Sequence, residues 1–487
     1  MITLLDQRRA GILLHITSLP GSLANGDLGQ DAYQFVHYLH RAGIRVWQTL
    51  PLGQPHFDGS PYQCLSAHAG NTALIDLQPL VDQAWLPPLS SLDHFPKLNK
   101  DQLIFQAFQQ FSVKASTEQQ QQFSQFCQQQ VYWLEDFALF MALRREFQQQ
   151  GWNLWPEALK QREPQAIAEA KQRLSFDIQA IQFGQYLFFQ QWHQLKQFAQ
   201  QHDILLFGDM PLFVSYDSAD VWANRHVFKL ESNGEMSVVA GVPPDYFSQY
   251  GQRWGNPHYD WAYLEQSGFD WWIQRLRTQL DLFDILRIDH FRGLQAAWEI
   301  PAHEATAING QWKIAPGQKL LQALQNAFGT MPLIAEDLGI ITAEVEQLRQ
   351  QFQLPGMKIL QFAFSEGADN PYLPAHYSTN SVVYTGTHDN DTTMGWYNSL
   401  SDHDRAKIYQ LLHRSHAPMP QMLIESAMAS VSNLAIIPLQ DLLGLDSSAR
   451  MNIPGTIEGN WQWRFEWSQL TSEKITYLAD LIRATER

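Results

Sequence analysis

Residues 283–289 read FDILRID, a short apolar run that ends in two charged side chains, Arg287 and Asp289. A run of this length and composition is typical of a β-strand that is buried on both faces. Seven other runs share its form, each ending near Gly, Pro, Asp or His and most of them preceding a helical pattern. They are GILLH (11–15), IRVWQTL (44–50), ILLFGD (204–209), PLIAED (332–337), MKILQF (357–362), SVVYTGTHD (381–389) and NLAIIPL (433–439).

Eight apolar strands that alternate with helices predict an α/β fold, a parallel (β/α)8 or TIM barrel. A doubly wound open sheet is the alternative. We expect residues 1–487 to form one elaborated barrel. Residues 51–202, between the second and third strands, are too many for a simple crossover and predict an inserted, mainly helical subdomain. Phe105, Phe108 and Phe111 recur there at helical spacing.

The composition excludes several classes of partner. A net charge of −16 disfavours nucleic acid and anionic membranes, which bind clustered Lys and Arg. Cys64 and Cys127 are the two cysteines, and without a C-x-x-C motif they indicate neither a disulfide framework nor a zinc site. No run reaches the roughly 18 apolar residues of a membrane span, and the N-terminal residues do not resemble a signal peptide. We therefore expect a cytoplasmic protein without a metal or cofactor.

Polar side chains gather at the C-terminal ends of the predicted strands, where a parallel barrel carries its active site. Asp209 ends the third run, Asp289 the fourth and Glu336 the fifth, while His388 and Asp389 end the seventh. Any one of these carboxylates could simply cap a following helix. Their occurrence on four strands favours a shared site.

Strand geometry assigns different tasks to two of these carboxyls. Residues two apart share a face, so Arg287 lies beside Asp289 and is expected to keep it ionised. Glu336, on the face of Ile334, is expected to keep its proton in an apolar, carboxylate-rich pocket. Retaining glycoside chemistry requires such a pair, about 5–5.5 Å apart.

A metal site for phosphoester hydrolysis is an alternative use of Asp and His at strand ends. The absence of H-x-H and H-E-x-x-H spacings argues against it. The 17 Trp and 16 Tyr instead suit stacking on the apolar faces of sugar rings.

Nine segments, in order from about residue 11 to residue 464, resemble the amylomaltases, also called 4-α-glucanotransferases. They are GILLHITSLPG, SPYQ, GDMPLFV, GVPPDYFSQYGQRWGNP, LRIDHFRG, AEDLG, YTGTHDNDT, RMNIPGT and GNWQWR. The resemblance implies a barrel of the α-amylase clan without a separate C-terminal β-domain. It also implies transfer of α-1,4-glucan segments between maltooligosaccharides, with retention of configuration. A hydrolytic α-amylase-type glycosidase is the nearest alternative, and a glucan-binding protein that has lost catalysis would lack Asp289 or Glu336.

The resemblance also assigns roles to individual residues. It implies that Asp289 is the nucleophile, Glu336 the general acid/base and Asp389 the transition-state stabiliser, supported by Arg287 and His388. The implied glucan-binding residues are Asp209, Ser60, Tyr62, Gln252, Trp254 and Asn460.

Residues 240–260, rich in Pro and aromatic residues that include Tyr246 and Phe247, are the candidate lid that keeps water from the site. The chain departs from the family pattern at Ile16, where proline is usual. It departs again at Ser365 and Glu366, where an Asp that contacts a donor-side hydroxyl is common.

Overall fold

The computed structural model describes residues 4–21, 25–89, 100–244, 248–365, 367–413 and 418–487. These residues contain twelve β-strands and eighteen α-helices. The strands are β1 (Arg9–Leu13), β2 (Val46–Gln48), β3 (Leu205–Pro211), β4 (Val238–Val242), β5 (Gln252–Pro257), β6 (Ile285–Asp289), β7 (Ala296–Pro301), β8 (Gln311–Ile314), β9 (Leu333–Ala335), β10 (Gly356–Ile359), β11 (Ser381–Tyr384) and β12 (Leu434–Pro438). The helices are α1 (Gln30–Arg41), α2 (Gln78–Asp82), α3 (Lys100–Lys114), α4 (Thr117–Gln129), α5 (Val131–Glu146), α6 (Glu157–Lys160), α7 (Pro164–Arg173), α8 (Ser175–Gln201), α9 (Ala219–Ala223), α10 (Trp261–Gln266), α11 (Asp270–Leu282), α12 (Gly317–Phe328), α13 (Ala343–Gln351), α14 (Thr393–Ser399), α15 (Asp402–Leu411), α16 (Gln421–Ala429), α17 (Leu439–Leu443) and α18 (Ser472–Ala484).

The eight predicted runs form one parallel sheet, in the order β10-β11-β12-β1-β2-β3-β6-β9. Its two outer strands also meet, because the N–H of Ala335 in β9 donates to the carbonyl of Pro355, just before β10, at 2.9 Å. The sheet is therefore a (β/α)8 barrel, as predicted, and the doubly wound alternative is wrong.

The barrel strands are buried on both faces, which explains their continuous apolar sequences. Phe207, Ile285 and Ile334 belong to an apolar core of alternate strand residues. Leu206 and Leu286, one position away, pack instead into the main core together with residues of the helices. Since side chains alternate along a strand, the first set fills the barrel and the second lies beneath the helices.

Between β2 and β3, the described residues form helices α2 to α8. Aromatic side chains hold these helices together, and Phe111 and Phe183, on α3 and α8, have ring centroids 4.6 Å apart. This segment is joined to the barrel where α8 leads into β3.

A second, antiparallel sheet has the order β5-β4-β7-β8. The sequence did not predict it. Its strands are short, and β8 is exposed at every position, so no alternation of buried and exposed residues marks it as a strand. The range 240–260, predicted as a loop, contains most of β4 and all of β5.

Beyond β12, the described residues contain helices α17 and α18 and no further strand. Among all the described helices, none combines the length and the apolar character needed to cross a membrane.

Candidate active site

The floor of the site is an ion pair at the C-terminal ends of β3 and β6. Asp209 and Arg287 are cross-strand neighbours, and Arg287 Nε donates to Asp209 Oδ1 at 2.9 Å. The hydroxyl of Tyr62 donates to Asp209 Oδ2 at 2.7 Å. The Asp209 side chain is 0% exposed. Asp209 therefore lies beneath the open part of the site, where it orients Arg287 and Tyr62.

Asp289 lies two residues after Arg287 on the same face of β6, and Arg287 Nη2 donates to its Oδ1. Its side chain is 29% exposed, so it can reach a substrate. Burial raises the pKa of Asp289 well above its ordinary value, and the charges of Asp209, Glu336 and Asp389 add to this, although Arg287 opposes it. Arg287 was expected to keep Asp289 ionised, and it does favour the ionised form, but the guanidinium is shared with Asp209 and burial outweighs it.

Glu336 directly follows β9, the neighbour of β6. Ile288 and Ala335 are in register, so Asp289 and Glu336 form the next pair along two strands whose backbones are about 4.8 Å apart. The N–H of His290 donates to Glu336 Oε2 at 2.7 Å, and that of Leu338 donates to Oε1 at 3.1 Å. Burial raises the pKa of Glu336 to about 7. Near neutral pH this carboxyl can therefore serve as an acid and, once ionised, as a base.

His290 has a left-handed backbone with φ of 56°, which is uncommon for a residue other than glycine. This conformation accompanies the hydrogen bond from its N–H to Glu336. Its ring packs edge-on against Trp254, with centroids 4.8 Å apart and planes at 90°. Burial lowers the pKa of His290 to about 3, so the ring is neutral. No pattern in the sequence indicates this backbone role.

Asp389 lies in the loop after β11, and its side chain is 46% exposed. Asn452 Nδ2 donates to Asp389 Oδ1 at 2.6 Å, and His388 Nε2 lies 3.3 Å from Oδ2. Arg450 Nη2 donates to the Asp389 carbonyl at 2.6 Å. The segment RMNIPGT contributed to the family resemblance, but Arg450 and Asn452 were not predicted as site residues.

Aromatic rings form one wall of the site. Tyr62 stacks on His388, with centroids 5.2 Å apart and planes at 11°, and Trp461 lies 6.0 Å from both rings. Burial raises the pKa of Tyr62 and lowers that of His388, so both groups are neutral at pH 7. Trp461 was not predicted as a site residue, although it lies in the quoted segment GNWQWR.

Three other predicted residues lie close to this wall or to Glu336. Ser60 Oγ accepts a hydrogen bond from the N–H of Tyr62 at 3.3 Å. Trp254 Nε1 donates to Gln252 Oε1 at 3.1 Å, and both residues belong to β5. Because Trp254 also contacts His290, the structure brings β5 to the Glu336 side of the site.

Asn460 is buried and is engaged within its own loop. Its Oδ1 accepts from the N–H of Ile453 at 2.9 Å, and its Nδ2 donates to the carbonyl of Thr456 at 2.9 Å. It therefore shapes the segment between Asn452 and Trp461. Ser365 is exposed, whereas the predicted residues Tyr246, Phe247 and Glu366 lie outside the described residues.

The arrangement offers a carboxylate held by a guanidinium, a second carboxyl that carries a proton near neutral pH, and a third carboxylate open to solvent. In the part of the chain that the structure describes, no group of three or more His, Cys, Asp or Glu side chains is placed to hold a metal ion.

Comparison with known proteins gives a consistent result. A family model described as 4-alpha-glucanotransferase matches residues 14–471. The chain is 48% identical to the 4-alpha-glucanotransferase of Thermus thermophilus, over 99% of both chains, and 47% identical to that of Synechocystis, over 98% of both. Its structure matches an amylomaltase from Streptococcus agalactiae in complex with acarbose with a TM-score of 0.94 and 36% identity, covering 99% of this chain and 100% of the other. The chain therefore belongs to the 4-alpha-glucanotransferase family, the amylomaltases.

Proposed function

We propose that this 4-α-glucanotransferase transfers α-1,4-glucan segments through a covalent intermediate on Asp289, with Glu336 as the acid/base. The observation that carries the proposal is the position of these two carboxyls. Asp289 ends β6 and Glu336 directly follows the neighbouring strand β9, so the two residues form the next pair after Ile288 and Ala335. A backbone spacing of about 4.8 Å suits the carboxyl separation of about 5–5.5 Å in retaining enzymes.

In the first half of the reaction, Glu336 gives its proton to the glycosidic oxygen that leaves. A carboxylate oxygen of Asp289 attacks C1 of the donor sugar, the C1–O bond breaks, and the reducing-end fragment departs with the proton. The sugar is then a β-linked ester of Asp289. Arg287 favours the ionised nucleophile before the attack.

In the second half, the ionised Glu336 removes the proton from the 4-hydroxyl of an acceptor glucan or glucose. That oxygen attacks C1, the ester bond to Asp289 breaks, and an α-1,4 bond forms. Two inversions give net retention.

Asp389 is the proposed transition-state stabiliser. Held by Asn452 and His388, it can accept hydrogen bonds from sugar hydroxyls that strengthen as the ring distorts. Such bonds accelerate the step because they are weaker in the ground state.

We assign binding of the glucan to Ser60, Tyr62, Gln252 and Trp254. Asp209 supports this binding from beneath the open part of the site, and Asn460 supports it by shaping its own loop. Tyr62 and Trp254 offer rings for stacking on sugar faces. The lid is the hairpin within residues 240–260, and it favours transfer by limiting the access of water to the glycosyl ester.

We also propose that the enzyme works in the cytoplasm, on maltodextrins derived from starch or glycogen. Both cysteines, Cys64 and Cys127, are free thiols, which fits a reducing compartment.

The test is to incubate the purified protein with maltotriose, with and without a chelator, and to resolve the products by chain length. We expect glucose and a ladder of longer maltooligosaccharides, unaffected by the chelator and absent in Asp289→Asn. Asp260→Asn, a change at the N-cap of α10, is the matched control and retains activity.

Two outcomes would contradict the proposal. Products that are only shorter than maltotriose, with rising reducing ends, would mean hydrolysis. Loss of turnover with the chelator would support the metal-dependent alternative.

A further inference from the structure

A row of exposed apolar side chains follows the outer strand of the second sheet. Among the described residues, five of the fifteen exposed large hydrophobic side chains belong to it. We call this set the β8 surface, and its members are Tyr250, Ile308, Trp312, Ile314 and Ile340. Exposed apolar residues that occur together commonly mark a binding surface.

One end of the β8 surface joins the loop that begins at Glu336. Arg292 Nη1 donates to the carbonyl of Ile340, four residues after Glu336. The same guanidinium lies over the ring of Trp312, 3.6 Å from its centroid. Arg292 therefore connects the acid/base loop directly to β8.

The other end joins the lid hairpin. Trp298 packs edge-on against Trp312 with centroids 5.1 Å apart, and its Nε1 donates to the carbonyl of Ala307 at 2.9 Å. The N–H of Ala307 donates in turn to the carbonyl of Tyr250 at 3.0 Å. Tyr250 lies between β4 and β5, so a chain of contacts leads from the Glu336 loop through Trp312 to the hairpin.

The two aromatic residues of this surface are accessible. Trp312 is 36% exposed and Tyr250 is 54% exposed. Contacts with Arg292 and Trp298 hold the Trp312 ring in place, so little side-chain entropy remains to be lost on binding. Fixed, accessible aromatic rings suit the apolar faces of glucose units.

We infer that the β8 surface binds the outer part of a long α-1,4-glucan on the leaving-group and acceptor side of the site. The inference rests on the proposed function, in which Glu336 protonates the leaving oxygen, because its loop must then flank the fragment that leaves. The occupant is a glucan because these contacts link the β8 surface to the Glu336 loop and to the hairpin, which both border the proposed glucan site.

The experiment compares Trp312→Leu, Trp312→Phe and Tyr250→Ser with the unmodified enzyme. The Leu side chain is apolar but has no flat face, whereas Phe keeps one. For each protein, KM is measured for linear amylose of about 30 glucose units and for maltotriose. Stacking worth about 0.5–1.5 kcal/mol corresponds to a rise of roughly 2- to 13-fold.

We expect the ratio of KM for amylose to KM for maltotriose to rise by that factor in Trp312→Leu and Tyr250→Ser. The ratio stays near the original in Trp312→Phe. Val431→Ser is the control, because Val431 is 48% exposed but precedes β12, at the opposite end of the barrel. Thermal melting confirms that each variant is folded.

An unchanged ratio in Trp312→Leu overturns the inference. If Trp312→Leu leaves the KM ratio unchanged but shifts the protein from dimer to monomer in sedimentation, the inference is also overturned. The surface would then be a contact between two copies of the chain. A binding experiment distinguishes failure of this inference from failure of the proposed function. In an Asp289→Asn background, amylose in a native gel should retard the protein less after Trp312→Leu, whether or not the parent protein turns over maltotriose.

Discussion

Arg287 contacts two carboxylates, and this sharing governs how the site titrates. Asp209 binds its Nε and Asp289 its Nη2, so one positive charge serves two negative ones. Burial raises the pKa values of Asp289 and Glu336. The site therefore retains a proton near neutral pH, and in the proposed mechanism Glu336 delivers such a proton to the leaving oxygen.

Glu336 sets the alkaline limb of the pH profile. Its pKa is raised to about 7, so the proton-donor form is nearly complete below pH 6 and is lost as the pH rises through 7. We expect kcat/KM for maltotriose to fall about tenfold per pH unit well above that value. Initial rates at constant ionic strength test this. A limb that begins near pH 4.5 would contradict the raised pKa.

The backbone of His290, more than its ring, should matter for Glu336. Gly and Asn adopt the left-handed conformation readily, whereas Val does not, at a cost of about 1–2 kcal/mol. We expect His290→Gly and His290→Asn to leave the pKa of the alkaline limb unchanged. We expect His290→Val to change that pKa and to lower kcat about tenfold. If Gly and Val behave alike, the imidazole ring is the important part.

At the scale of elements, the barrel strands were predictable because each is buried on both faces and so leaves an apolar run in the sequence. The second sheet was not. Strand β8 is exposed throughout, and β4 pairs with β7 from Val238 to Gly241 although residues 243–295 intervene between the two strands. Such pairing depends on distant residues, which a local pattern does not reveal.

The same distinction applies to the site. Asp289 and Glu336 could be predicted to lie close together because they stand at strand ends, and strand ends meet at one rim of a barrel. Asn452 and Trp461 were missed because they lie in the long loop after β12, whose path no periodicity determines. Arg287 was placed correctly beside Asp289, but its sharing with Asp209 required the register of β3 against β6.

The hairpin proposed as the lid depends on Gly251, which has φ of 65° and lies against Val242 and Ala307. A Cβ at this position would collide with both residues. We expect Gly251→Ala to raise KM for maltotriose severalfold and to increase the share of hydrolysis. Gly268→Ala is the control, because its φ is 69° but no atom lies within 4 Å of the added Cβ. Equal effects of the two changes would mean that general backbone strain, and not the hairpin, is responsible.

At the scale of the whole molecule, Glu336 should lower the free energy of unfolding once its carboxyl is ionised. Its folded pKa, about 7, exceeds the ordinary 4.5, so the folded state holds the proton more tightly than the unfolded chain does. This contribution to stability is present below pH 4.5 and is lost as the pH rises through 7. We expect Glu336→Gln to increase the free energy of unfolding at pH 8, relative to the unmodified protein, by about 3 kcal/mol more than at pH 4.5. Urea denaturation at the two pH values tests this, and equal differences would contradict it.

The hydrogen bond between Tyr62 and Asp209 joins two residues that are far apart in the sequence. Strands β2 and β3 are neighbours in the barrel, yet residues 49–204 lie between them, and Tyr62 belongs to the start of that segment. The bond requires β2 and β3 to lie side by side although residues 49–204 separate them, and contacts so distant in sequence form slowly. A chain that has most of its helices and barrel strands but lacks this contact leaves Arg287 without its full support. We therefore expect refolding protein to recover activity later than it recovers secondary structure.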